Sequence, residues 1–400
     1  MSFTPPDDGL AGLAPISHLG AIGIMPNAQQ QTYPGFMTGA SYELAIVEFD
    51  DQGRCYDRKQ MEAVATRLDA LRAEEKDVII LVFTHGWQHD ARTDDENLSA
   101  FRGILARTVI HEQSSTEANG TPRPVLGIFV GWRGLSEFGL DGAIAGATFW
   151  TRQAAGQRVA TGSVRELFGR LRHYRNHRLK TGRPLLVIAG HSFGGMIVYS
   201  ALAQSLIEAA SAPIGQVVPS FADLVLLINP AIEGARYLPM YDLVIGPDFQ
   251  RRTTAQLPVF ICAQAENDVP IGTLFPLGNT AHGIEQATIG ALEKECVVHA
   301  FGFVESFRTH QLGGPAGGEP FVLAPKEIAQ INPFWVVGAD KSVIDGHGGI
   351  WQAPFQEFLA SIVFQHVQAS KTENRVSPVS ETGGGLAAFA KTLRANGPSA

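Results

Sequence analysis

The clearest chemistry in the chain lies in the run Gly190-His191-Ser192-Phe193-Gly194. It matches G-x-S-x-G and sits directly between the strand-like segment LLVIA (Leu185–Ala189) and the apolar stretch Gly195–Ala209, which reads as a helix. A strand-to-helix turn this tight holds the serine on a strained backbone with its side chain exposed. The flanking glycines remove Cβ atoms that would clash in such a turn. The start of the helix aims backbone N–H groups at whatever the serine attacks. Ser192 is therefore the candidate nucleophile; a glycine-rich packing turn is the weaker alternative.

A serine hydroxyl is a poor nucleophile near neutral pH and needs an adjacent base, itself oriented by an acid. On a sheet with a nucleophile turn of this kind, the partners follow in the chain order Ser, Asp or Glu, His. For the acid, Val259–Ala263 reads as a late strand running into Glu266-Asn267-Asp268, which makes Asp268 the first choice. For the base, Phe334–Gly338 precedes Asp345-Gly346-His347-Gly348-Gly349, and the glycines allow His347 to reach back over Ser192. Glu266, Asp345 and Glu233 stay open as acids, and His282, His299 and His310 as bases.

Attack on a carbonyl also builds negative charge on its oxygen, which calls for two preorganised donors. One expected donor is the N–H of Phe193. The other is the N–H of Trp87, in the loop His85-Gly86-Trp87 that ends the early strand. There Gly86 permits close backbone approach, and His85 is expected to hold the loop rather than react. Trp132, Phe149 and Trp150, together with Trp87, are candidate walls of an apolar acyl or alcohol pocket. Each of these aromatics reads equally well as core packing.

The elements that must position these residues are legible as alternating strands and helices. YELAIVEF (Tyr42–Phe49), VIILVF (Val78–Phe83), Val125–Val130, LLVIA, Leu224–Asn229, Val259–Ala263 and Phe334–Gly338 read as strands. Between the first two, Met61, Val64, Leu68 and Leu71 recur at helical spacing behind a capping box at Asp57 and Gln60. A second helix carries Leu98, Phe101, Leu105 and Val109 behind Thr93 and Glu96, and a third carries Val164, Leu167, Phe168 and Leu171 behind Ser163 and Glu166. Phe355–Val367 reads as the closing helix. This alternation predicts an α/β fold: a mostly parallel central sheet with helices on both faces. Residues 135–161 exceed an ordinary loop and are expected to form a cap or wall over the site. The domain spans 41–368, preceded by an irregular segment 1–40 and followed by a mobile tail 369–400 rich in Ser, Gly and Thr.

Composition narrows the partners. The 400 residues are 45% hydrophobic and 18% charged, enough to bury a core. A net charge of -8 argues against a nucleic-acid partner. Lys and Arg gather between 152 and 183, which reads as a solvated helix face, with an anionic headgroup surface as the sharper alternative. Peripheral membrane contact thus stays open, and the oligomeric state is unknown. Three scattered cysteines do not suggest a disulfide framework or a metal site. The apolar stretch Ile16–Met25 follows Asp7 and Asp8 rather than basic residues, so no signal peptide is legible and the cytoplasm is the expected location, with leaderless secretion open. No apolar run reaches the ~18 residues that span a bilayer.

Together, the nucleophile turn, the His85-Gly86-Trp87 loop and the Ser192, Asp268, His347 order resemble the α/β-hydrolase superfamily, and within it the esterase and lipase branch. The resemblance covers roughly Asp77 to Gln368. It implies the α/β-hydrolase fold with an eight-stranded sheet, an acyl-enzyme intermediate, a small-molecule or lipid ester substrate, and no cofactor. A peptidase or thioesterase would use the same constellation, and an idle binding module is the third alternative.

Overall fold

A computed structural model of the chain describes residues 25–26 and 41–371, apart from 88, 93, 117–119, 134–142, 178–183, 214–215, 253–255, 277–289 and 327–331. The expectations for 1–40 and 369–400 fall almost wholly outside the described residues.

The strands are β1 (Met25–Pro26), β2 (Glu43–Phe49), β3 (Ile79–Thr84), β4 (Val125–Trp132), β5 (Leu185–His191), β6 (Leu224–Ile228), β7 (Phe260–Ala265), β8 (His310–Gly313), β9 (Val322–Pro325) and β10 (Phe334–Ala339). They form one sheet in the order β1-β2-β4-β3-β5-β6-β7-β10-β8-β9. From β2 to β8 every neighbouring pair is parallel. Among the described strands, only β1 and β9, one at each edge, run antiparallel. The chain is thus an α/β protein with a mostly parallel sheet flanked by helices. The described residues form ten strands where the resemblance implies eight: the seven read from the sequence, with β8 and β9 added at one edge and the two-residue β1 at the other. Those short additions carry too little apolar alternation to be read from sequence.

The helices are α1 (Arg58–Ala73), α2 (Glu96–Ser114), α3 (Ala143–Thr161), α4 (Val164–Asn176), α5 (Phe193–Ala210), α6 (Leu238–Ile245), α7 (Pro247–Gln250), α8 (Ala291–Val298) and α9 (Ala353–Lys371). Successive strand residues point to opposite faces, so each strand feeds two cores. Ile80 and Val82 of β3 join the larger core, which also holds apolar residues of α1, α4, α5 and α6. Ile79, Leu81 and Phe83 join the other, formed with α2 and α9. This two-sided burial is why the strands read as continuous apolar runs.

Several local expectations need correction. The side-chain cap of α2 is Asp95, which accepts the N–H groups of Asn97 and Leu98; Thr93 lies outside the described residues. Ser163 precedes α4 without a side-chain cap, and Glu166 instead pairs with Arg58 and Arg170. Within the segment 135–161, residues 143–161 are helix α3, as befits their alanine content, and 135–142 lie outside the described residues. By length and composition α5 could cross a bilayer, but Gln204 and Glu208 interrupt its apolar run and 67% of it is buried inside the protein. Among the described residues of the basic run, Arg152 pairs with Asp51, Arg170 with Glu166 and Arg175 with Asp223, and Arg172 lies over the Phe221 ring.

Candidate active site

Register brings the site together. Thr84 of β3 lies beside Gly190 of β5, His191 beside Ile228 of β6, and Ala265 of β7 beside Ala339 of β10. The loops after these strands therefore open on one edge of the sheet. The connection from β3 turns to α2 on one face, while that from β5 turns to α5 on the other. Their divergence opens a crevice between the ends of β3 and β5, where ligands of open α/β sheets bind. Ser192 and Gly86 stand on its two sides.

Ser192 has φ 55 and ψ -122, a left-handed-side backbone that costs a non-glycine residue of order 1–3 kcal/mol. Its N–H donates to the carbonyl of Ile228 at 3.0 Å, and its carbonyl accepts from Met196 and Ala231. Gly194 makes this turn possible: a Cβ there would stand 2.1 Å from the Thr84 carbonyl oxygen and 2.5 Å from that of His85. The expectation that flanking glycines clear space is met. The expected exposure is not, since Ser192 is only 3% exposed. Gly86 packs against its Cβ, and the His347 ring stands over its hydroxyl.

The imidazole of His347 bridges the other two residues. Its Nδ1–H donates to Asp268 Oδ2 at 2.7 Å, and its Nε2 accepts from Ser192 Oγ at 2.9 Å. Asp268 is buried, and its Oδ1 accepts the N–H of Ile271 at 3.0 Å from the turn that begins at Pro270. Asn267 joins the two loops, accepting the N–H of Gly346 and donating to Asp345.

The competing acids point elsewhere. Glu266 pairs with Arg308 and accepts from Gln311. Asp345 accepts from Asn267, and Glu233 accepts from Gln153. Among the competing bases, His310 is buried against the Trp335 ring, with its pKa lowered to about 4 by desolvation. The carbonyl of His299 accepts from Gly234, and His282 lies outside the described residues.

His85 holds the opposite wall. Its Nδ1–H donates to the Gly86 carbonyl at 2.9 Å and its Nε2 accepts the Trp132 N–H at 3.1 Å. Burial favours the neutral ring and lowers its pKa to about 4. Trp132 corrects the sequence reading. It is wholly buried, donates its indole N–H to the His85 carbonyl, and meets Phe193 edge-on, so it presents no surface to a substrate. Trp87 is half-buried against the larger core. Phe149 and Trp150 lie in α3, but their side chains are outside the described residues.

Helix α3 crosses the strand ends above the sheet. Arg152 donates to Asp51 and to the Arg133 carbonyl, beyond β2 and β4, and Gln153 donates to Glu233, beyond β6. Gly156 lies against Met196, one turn along α5 from Ser192. Helix α3 thus packs on α5 close to Ser192. Among the described residues, no group of three or more His, Cys, Asp or Glu side chains is placed to hold a metal ion.

The chain matches no protein-family model and no curated protein. Its function must therefore be read from the geometry of the site. That geometry supplies a hydroxyl, a base within hydrogen-bonding distance of it, and a buried carboxylate on the base's far nitrogen.

Sequence reasoning missed His191, Asn229, Gln264 and Asn267, which surround these residues. A weak signal for two of them is present in the chain: a polar residue ends each of the apolar strands LVLLIN and FICAQ.

Proposed function

We propose that the chain is a serine hydrolase of the α/β-hydrolase fold that cleaves carboxylic esters through an acyl-enzyme. One observation carries this reading: the continuous line from Ser192 Oγ through the His347 ring to buried Asp268. The strained backbone of Ser192 supports it, since such strain persists at functional turns that the surroundings enforce. So does the strand order around the crevice.

In this mechanism Ser192 Oγ attacks the ester carbonyl as its proton passes to His347 Nε2. Asp268 stabilises the resulting imidazolium and fixes the tautomer. The proton then goes to the leaving alkoxide, which departs as the alcohol and leaves the acyl group on Ser192. Water attacks the acyl-enzyme, again with His347 as base, releasing the acid and returning the proton to Ser192. The oxyanion donors are the N–H groups of Phe193, the first residue of α5, and of Trp87, which follows the glycine packed on Ser192.

The test is labelling of the protein with a fluorophosphonate probe, followed by a panel of p-nitrophenyl esters of increasing chain length. Modification of Ser192 with turnover of at least one ester is expected. Absence of both would overturn the reading.

A further inference from the structure

Asn229, the residue after β6, is wholly buried and adopts φ 43, unusual outside glycine. Its amide is committed at both ends. Oδ1 accepts the N–H of Ala265, the last residue of β7, at 2.8 Å. Nδ2 donates to the carbonyl of His347 at 2.9 Å and lies 3.4 Å from that of Gly346. The reverse orientation would set an oxygen against two carbonyls and an NH2 against an N–H, so the neighbours dictate the orientation.

A second donor reaches the same acceptor: His191 Nε2–H donates to the His347 carbonyl at 3.0 Å. Gln264 closes the arrangement, with its Nε2 3.4 Å from Asn229 Oδ1 and 3.2 Å from Asp268 Oδ2. The polar chain thus runs from the His347 carbonyl through the Asn229 and Gln264 amides to the Asp268 carboxylate, and returns to His347 through its ring. The base is held by its ring and by its backbone at once.

The backbone hold matters because of where His347 sits. Gly346, at φ 70, and Gly348 flank it, and neither would meet a neighbour if it carried a Cβ. A loop with such neighbours does not fix its own path. We propose that Asn229, assisted by His191, is a positioning residue that clamps the His347 carbonyl and so sets the reach of the imidazole to Ser192. This rests on the hydrolase reading of the site.

A purely conformational role for Asn229 competes with this, because asparagine tolerates left-handed backbone. Glycine meets that need equally well and has no amide. Asn229→Gly is therefore expected to fold, with a thermal midpoint lowered by the loss of the buried hydrogen bonds to Ala265 and His347, and to keep KM nearly unchanged. Its kcat should fall about 100-fold, the size of a misplacement near 1 Å. The downfield Nδ1 proton of His347 in the NMR spectrum, assigned with His347→Gln, should broaden or vanish.

Asn229→Asp supplies a second readout. The introduced carboxyl faces the His347 and Gly346 carbonyls, His191 on β5, and Asp268 beyond Gln264. Ionised it repels both carbonyls; protonated it can donate to them. Burial and the Asp268 charge raise its pKa, so the ratio of variant to wild-type kcat should climb as pH is lowered. A flat ratio, or wild-type kcat in Asn229→Gly, overturns the clamp. If wild type turns over no ester and takes no probe, the hydrolase reading fails by itself. The clamp is then decided by the His347 proton signal: loss in Asn229→Gly supports it, and persistence refutes it.

Discussion

Replacing Gly86 by alanine is the smallest change that tests the proposed oxyanion wall. Gly86 is absent from the residues with positive φ, so alanine fits its backbone and the whole effect comes from the added Cβ. That atom would stand 2.8 Å from Ser192 Cβ and 3.1 Å from both His191 Nδ1 and the His191 carbonyl oxygen. Comfortable carbon–carbon contact is about 3.5–4.0 Å, so the two loops must part by roughly 1 Å. A displacement of that size costs about 10²-fold in rate, and loss of one oxyanion donor about 10²–10³-fold. The two costs describe one movement and do not multiply. Gly86→Ala should therefore lower kcat by about 10²–10³ with KM nearly constant. Steady-state kinetics on the best ester of the panel would read this, with calorimetry to confirm folding. If kcat stays within about threefold of wild type while the thermal midpoint drops, Gly86 serves packing alone and the donor lies elsewhere.

Ser192→Ala keeps the Cβ that Gly86 packs against, so it should fold and lose on the order of 10⁶ in kcat; a tenth of wild-type activity would sink the nucleophile assignment. Asp268→Asn should cost about 10⁴ in kcat near neutral pH, whereas Glu266→Gln should cost tenfold or less because Glu266 is occupied by Arg308. The reverse ranking would move the acid to Glu266. Burial depresses the pKa of three histidines, His85 and His310 to about 4 and His191 well below its ordinary value. The unfolded chain, with histidines near about 6.5, binds more protons than the native state in the interval below that value. Stability is thus full above about pH 6.5 and lost as pH falls toward about 4. The thermal midpoint should drop steadily between about pH 7 and about pH 4.5; a constant midpoint would contradict the neutral buried rings.

Much of this protein is written locally. The parallel strands from β2 to β7 and β10 announce themselves as continuous apolar runs, since burial on both faces forbids polar alternation. The buried stripe of α1, Met61, Val64, Leu68 and Leu71, is the one its spacing predicts. The turn at Ser192 is legible because its curvature selects glycine at 190, where a Cβ would strike the Gly194 carbonyl; glycine at 194 answers instead to the distant Thr84 and His85 carbonyls. The roles of the residues that meet Ser192 depend instead on groups distant in the chain. Glu266 and Asp268 follow the same strand, and only the presence of Arg308 beside one and His347 beside the other separates their roles. Trp132 looks like a pocket aromatic until His85 and Phe193 close around it. The clamp on His347 joins β5, β6, β7 and the loop after β10 through hydrogen bonds. Composition and periodicity record a residue's own conformational preference and its tendency to be buried. They do not record which distant donor meets which acceptor, and that pairing is decided only when the sheet sets its strands in register.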